Sequence, residues 1–275
     1  MSATQAWADS LAAWTIPQAI LDGAEDSPWV LPGEVFARRA DRTIAAPSGA
    51  TYDEAAAALT TPGTVLDVGA GAGAASLPLV GRVAVDAVTA VDPDPDLLAR
   101  FGERASRLGV AARLLPGQWP ESAGAAGTAD VVVCANVLYN VPDLAPFVGA
   151  LTDRARRRVV VEIAARHPLT SLNPLWQHFH GIARPEGPTA QDCLAALTEL
   201  GIRPATTRWR RPAEREYATF AGMVEVTRRR LCLPRSAQGD LADVLRAGGV
   251  DPASPPDLGS SGREVVTMRW DGTGS

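Results

Sequence analysis

Residues 65–76 read VLDVGAGAGAAS, an apolar run that reaches Asp67 and then Gly69, Gly71 and Gly73. Glycine carries no Cβ, so such a turn allows positive φ and lets a ligand lie against the backbone. If a strand precedes the turn and a helix follows it, backbone N–H groups face the ligand at the helix N-terminus. Read from Gly69, the residues also fit the dinucleotide fingerprint G-x-G-x-x-A with Ala74 last, so glycine spacing alone does not choose the ligand. Asp67 narrows the choice. A carboxylate at the end of the first strand repels a pyrophosphate and attracts a ligand with a positively charged amino group.

A second concentration of chemistry is HPLTSLNPLWQHFH, residues 167–180, which holds all three histidines, His167, His178 and His180. Histidine titrates near neutral pH and suits a general base. The alternative is that they cap a helix or pack beside Trp176 and Phe179. H-x10-H-x-H without a neighbouring Asp, Glu or Cys is not a metal-ligand spacing, so no metal is expected. Cys134, Cys193 and Cys232 are odd in number and far apart, which fits neither a disulfide framework nor a zinc site.

These groups need a scaffold, and the hydrophobic pattern describes one. TVLDV (64–68), AVTAV (87–91), AARLL (111–115), ADVVVC (129–134) and RVVVEIA (158–164) are continuous apolar runs, as strands covered on both faces require. Helices are expected at 74–81, 95–108 and 143–153, giving a doubly wound, mostly parallel α/β sheet of the Rossmann-like kind. Residues 1–60 read as a helical lid or cover: Trp7, Leu11 and Trp14 recur at helical spacing, and a short helix follows from Pro32 to Ala40. Thr51-Tyr52-Asp53-Glu54 has the form of a capping box, so a helix should start there. Beyond a Pro-rich connection after 165, the pattern predicts a helix at 190–200 opened by Thr189 and a strand at 203–210. Helices at 213–231 and 237–248, a loop at 252–262 and a last strand at 263–270 complete it. The division is a cover over 1–60 and a main domain over 61–275, with 165–190 and 213–248 as candidate acceptor-site elements.

Asp67-Val-Gly69-Ala-Gly71-Ala-Gly73 resembles the first motif, D/E-x-G-x-G-x-G, of class I methyltransferases that use S-adenosylmethionine (SAM). SAM carries both an ammonium and a sulfonium. The resemblance implies a seven-stranded sheet with an antiparallel last strand and SAM as cofactor. It also implies that Asp92, ending the second strand, accepts the ribose hydroxyls and that Pro93 flanks the adenine. In LLPGQWPES (114–122), Gln118 stands where the family commonly has Asp, and Trp119 offers the adenine an apolar wall. CANVLYNVPDL (134–144) is similar to the fourth motif and implies Ala135 and Asn136 beside the methyl donor. No N-P-P-Y or D-P-P-Y follows the fourth strand, which speaks against methylation of nucleobase amino groups or protein amides, where that motif holds a planar nitrogen. The implied activity is direct SN2 transfer to O, N or C of a small-molecule acceptor. The pocket for it would draw on Trp7, Trp14, Trp29 and Tyr52 and on the later inserts.

Composition bounds the remaining readings. Every one of the 26 basic residues is arginine, yet the formal net charge is −5, which does not favour a polyanionic partner. The clusters at 154–158, 208–211 and 228–230 leave an RNA methyltransferase as one alternative and a non-catalytic SAM- or nucleotide-binding module as another. No apolar run approaches the ~20 residues that cross a bilayer, and no signal peptide is apparent. A cytoplasmic, membrane-free protein is the expectation, its oligomeric state unspecified.

Overall fold

A computed structural model describes residues 1–29, 31–259 and 261–274. In chain order the elements are α1 (Ala3–Ala12), α2 (Gln18–Asp22), α3 (Gly33–Ala45), α4 (Ala50–Ala57), β1 (Gly63–Val68), β2 (Val85–Asp92), α5 (Pro95–Leu108), β3 (Ala111–Pro116) and α6 (Ala123–Ala126). They continue with β4 (Ala129–Ala135), α7 (Leu144–Arg154), β5 (Ala155–Ala164), α8 (Asn173–His180), α9 (Ala190–Glu199), β6 (Ala205–Arg210), α10 (Phe220–Arg230), α11 (Gln238–Ala247) and β7 (Glu264–Asp271). The strands form one seven-stranded sheet in the order β3-β2-β1-β4-β5-β7-β6. β1 to β5 pair in parallel, and β7 runs antiparallel to both β5 and β6. The doubly wound, Rossmann-like sheet with an antiparallel last strand is thus the observed one. Strand order reverses between β1 and β4, where the chain leaves the sheet in opposite directions and a crevice opens at the carboxyl ends.

Local chemistry explains the well-formed elements. α5 starts where the Asp94 side chain accepts from the backbone N–H of Asp96 and Leu97, with Pro95 in its first turn, and ends on Gly109 at φ 71°. α9 opens on a reciprocal capping box between Thr189 and Asp192. β4 and β5 are buried on both faces, so their valines need no polar alternation.

Four expectations change. Residues 74–81 form turns and a single 3₁₀ turn, Leu77–Leu79, instead of an α-helix. Pro78 has no N–H to donate to the Ala74 carbonyl, which instead accepts from the Tyr52 hydroxyl at 2.7 Å and the Thr43 hydroxyl at 3.3 Å. The Thr51 capping box does not form: α4 starts from Gly49 at φ 113°, because the Thr51 hydroxyl is held in a buried contact with Glu162. Residues 213–219 are not helical; Glu216 is drawn to Arg42 at 2.7 Å and α10 begins only at the Thr219 cap. The connection after 165 contains α8, where Pro174 sits in the first turn, a position that does not interrupt a helix. The loop over 252–262 is observed, with Ser260 lying outside the described residues.

Two apolar layers sandwich the sheet, and a third cluster joins α8, α10 and α11 with Ile16 and Val35 of the N-terminal segment. No helix among the described residues is long and apolar enough to cross a membrane.

Candidate functional site

At the carboxyl ends of β1, β2, β4 and β5 lies a cavity of about 450 Å³. Its floor comes from the β1 turn, with Gly69, Ala70, Gly71 and Ala72, and from Asp92, Pro93, Ala135 and Asn136. Gly69 needs its glycine: at φ +72° an added Cβ would stand 2.3 Å from Val137 Cγ2. Gly71, at φ +51°, meets nothing nearer than Phe36 at 4.0 Å, so its bare Cα faces open space. Four of the turn's amides are already used. Gly69 and Ala70 donate to the Val91 carbonyl, Gly73 donates to the Ala70 carbonyl, and Gly71 donates to Asp92 Oδ2 at 2.8 Å. With those four N–H groups satisfied and no α-helix beginning at 74, the turn offers a pyrophosphate fewer donors than a strand–turn–helix site does.

Asp67 lies under this floor, fully buried, with Oδ2 accepting from the Ser76 hydroxyl at 2.5 Å. Burial, reinforced by the nearby Asp92 charge, pushes its carboxyl up to about 7 despite that hydrogen bond. Oδ1 is buried without a hydrogen-bond partner. An orphaned carboxylate oxygen in low dielectric is stabilised by a donor or a positive charge, which is the chemistry of an ammonium and the opposite of a phosphate. Asp92 is also buried, and burial raises its carboxyl. Its two oxygens receive Gly71 N–H and Asp94 N–H, and each keeps a lone pair for a further donor such as a hydroxyl. The residues on this side of the cavity therefore fit SAM.

The roof comes from α3 and α4. Phe36, Arg39 and Thr43 recur at i, i+3 and i+7 on α3 and face the cavity, joined by Thr51 and Tyr52 of α4. Burial pushes the Tyr52 phenol up to about 12, and it donates to the Ala74 carbonyl as a neutral group. On the third side is Glu162 of β5, 5% exposed. It accepts from Thr51 Oγ1 at 2.6 Å and from Asn136 Nδ2 at 3.0 Å, and forms an ion pair with Arg211. Asn136 is held at φ 62° by a further bond from its N–H to the Glu162 carbonyl. Sequence reasoning missed Glu162, Arg211, Arg39 and Phe36. A single acid inside the apolar run RVVVEIA was the available signal for the first.

Several anticipated residues stand elsewhere. Gln118 is exposed and Trp119 donates its indole N–H to the Phe147 carbonyl at 3.1 Å while packing on the core; neither lines the cavity. An indole on an apolar layer with a carbonyl in reach goes to the core before it goes to a wall. The histidines are likewise absent from the lining. His167 stacks on Trp14 with ring centroids 4.0 Å apart, meets Tyr139 edge-on and accepts from Leu169 N–H. Burial, then the Arg184 and Arg263 charges, lower it to about 4, so it is a neutral packing residue. His180 bonds the Leu231 carbonyl at 2.6 Å and leans on Trp176; His178 is exposed beside Phe179. Trp7 is core, donating to the Val141 carbonyl, whereas Trp14 and Trp29 line a separate cavity of about 110 Å³. Of the anticipated aromatics, Tyr52 reaches the main cavity. Segments 165–190 and 213–248 contribute no lining residue to it.

Most of the clustered arginines are spent on acids. Arg156 and Arg157 pair with Asp130, Arg158 with Glu54, Arg208 with Glu264, and Arg211 with Glu162. Arg228 is fully buried between Asp26 and Glu225, and Arg230 pairs with Asp257.

Residues 65–158 match a family model described as a methyltransferase domain. No curated protein matches the chain. Among solved structures, a putative methyltransferase from Bacillus halodurans superposes with a TM-score of 0.52 at 16% identity, covering 80% of this chain and 96% of its own. Magnesium protoporphyrin IX methyltransferase from Synechocystis, solved with bound S-adenosylhomocysteine, gives 0.46 at 20% identity over 63% of this chain and 86% of its own. A putative sarcosine dimethylglycine methyltransferase from Galdieria sulphuraria gives 0.48 at 15% identity over 97% of this chain and 100% of its own.

Proposed function

We propose that this chain is a class I SAM-dependent methyltransferase that methylates a small molecule at O, N or C inside the cavity under α3 and α4. The observation that carries the acceptor class is the enclosure. About 450 Å³ between the sheet ends and a helical roof suits a cofactor and a compact acceptor, whereas a nucleic acid needs an open basic track. The arginines at 156–158 and 228–230, paired with local acids, supply no such track.

SAM supplies an activated methyl on a sulfonium, which a nucleophile displaces directly. The protein's task is then placement, and near-attack geometry is worth up to roughly 7–11 kcal/mol. In this reading Asp67 holds the ammonium end by charge, Asp92 accepts ribose hydroxyls, and Pro93 flanks the adenine. Ala135 and Asn136 stand beside the methyl donor. With the histidines packed away from the cavity, proton acceptance from the bound acceptor falls to Glu162, the remaining carboxylate of the wall. Arg211 and Asn136 fix that carboxylate in direction.

Incubation with SAM and fractionated small-molecule extracts should release S-adenosylhomocysteine in some fractions. Release confined to RNA fractions, with affinity falling steeply in salt, would overturn the acceptor class. SAM binding without release in any fraction would instead favour a non-catalytic binding module.

A further inference from the structure

On the other face of β6 lies a groove of about 570 Å³ that shares no residue with the methyl-transfer cavity. β6 alternates across the sheet: Arg208 and Arg210 line the groove, while Trp209 and Arg211 face the opposite side. Arg166 after β5, Thr170 and Ser171 of the following turn, Thr189, and Arg263 ahead of β7 complete the charged and hydroxyl lining, with Glu186 and Glu264 as its acids. Four guanidinium groups against two carboxylates make this a positive patch on a chain of net charge −5.

We propose that this groove is a second ligand site, taking the phosphate group of a small molecule on Arg263, with Arg166 and Arg210 beside it. The two acids are committed to Arg166 and Arg208 in pairs whose members are all more than half exposed. Exposed pairs of this kind contribute little and separate readily when a better partner arrives. Arg210 and Arg263 have no ion pair among the described residues. Arg210 donates to the Gly262 carbonyl, and Arg263 reaches only the Thr170 hydroxyl, at a long 3.4 Å. Arg263 is itself half-buried, and burial pushes its guanidinium down, with the Asp257 charge opposing the shift and Arg166 adding to it. A half-buried cation with unused donors is costly alone, and a tetrahedral oxyanion matches the planar fork it offers. The site stands independently of the methyl-transfer reading.

Titration calorimetry of the full chain with inorganic pyrophosphate tests it. The wild type should bind saturably at one site; Arg263→Gln should weaken this by about tenfold or more, while its SAM affinity stays unchanged. Arg210→Gln, at an exposed strand position, should weaken it several-fold and serves if Arg263→Gln unfolds. Arg246→Gln, which removes a remote exposed charge on α11, should leave it unchanged. Equal pyrophosphate affinity in Arg263→Gln or Arg210→Gln, displacement of pyrophosphate by SAM, tighter binding of citrate than of pyrophosphate, or no saturable binding would overturn the assignment.

Discussion

The β1 turn and the α8 segment both withdraw titratable side chains from water, and they do so to opposite effect. Under the turn, Asp67 is fully buried with one oxygen unmatched and its carboxyl raised to about 7. Ahead of α8, His167 is almost as buried, yet its ring is stacked on Trp14, its Nδ1 accepts an N–H, and it is lowered to about 4. The first environment leaves a polar demand that a ligand satisfies. The second satisfies the imidazole in its neutral form and leaves it nothing to do at neutral pH. A buried ionisable group points to chemistry only when its surroundings leave part of it unanswered.

The strongest way to break this contrast is at Glu162. Glu162→Ala leaves Arg211 unpaired in a part-buried site and should cost about 3–5 kcal/mol in urea unfolding, with methyl transfer abolished. Glu162→Gln should fold and bind SAM but transfer poorly. If Glu162→Gln transfers at the wild-type rate, its assignment as proton acceptor fails.

Next in size is the pH dependence of stability set by Asp67. Its folded pKa, about 7, lies above the unfolded value near 3.8, so the folded state holds the extra proton between the two. That contribution is fully present below about pH 4 and is lost as pH rises through about 7. Asp67→Asn should flatten this fall and raise the stability of the cofactor-free protein at pH 8 by a few kcal/mol, while weakening SAM by about 1–3 kcal/mol. A variant that loses stability at pH 8 would show that the carboxylate is answered inside the protein.

Gly71→Ala sharpens the comparison from the backbone side. The added methyl enters the space facing Phe36 at a left-handed residue, costing about 1–2 kcal/mol of stability, and SAM affinity should drop by more than that cost explains. An undiminished SAM affinity would move the ligand away from the turn. The smallest effect is expected at α8: His178→Ala should change neither stability beyond about 0.5 kcal/mol nor the rate of S-adenosylhomocysteine release. A large loss of rate there would restore histidine as the base.

Much of the sheet was legible because continuous apolar runs admit little else. β1 to β5 and β7 stand within a few residues of their expected places, and Asp92 does close β2. The floor of the cavity was legible too, through its glycines and the carboxylate before them. What escaped the sequence depends on partners far along the chain. Arg211 meets Glu162 across 49 positions, and Arg39 meets Glu216 and Asp257 from another element altogether. Pro78 is a local signal against a helix after the turn, since it has no N–H to donate there. The histidines illustrate the converse: residue type and clustering suggested a base, while the aromatic neighbours Trp14 and Tyr139, distant in sequence, decided their role.

The central claim, that the β1 cavity binds SAM by answering Asp67, is tested most directly by calorimetric titration of SAM at about pH 5.5 and about pH 7.5, on the wild type and on Asp67→Asn. The wild-type affinity should rise about fivefold or more across that interval as the carboxylate ionises, and the variant should show a weak affinity with little slope. Binding of NAD in place of SAM, or equal SAM affinity in both proteins at both pH values, would contradict the account.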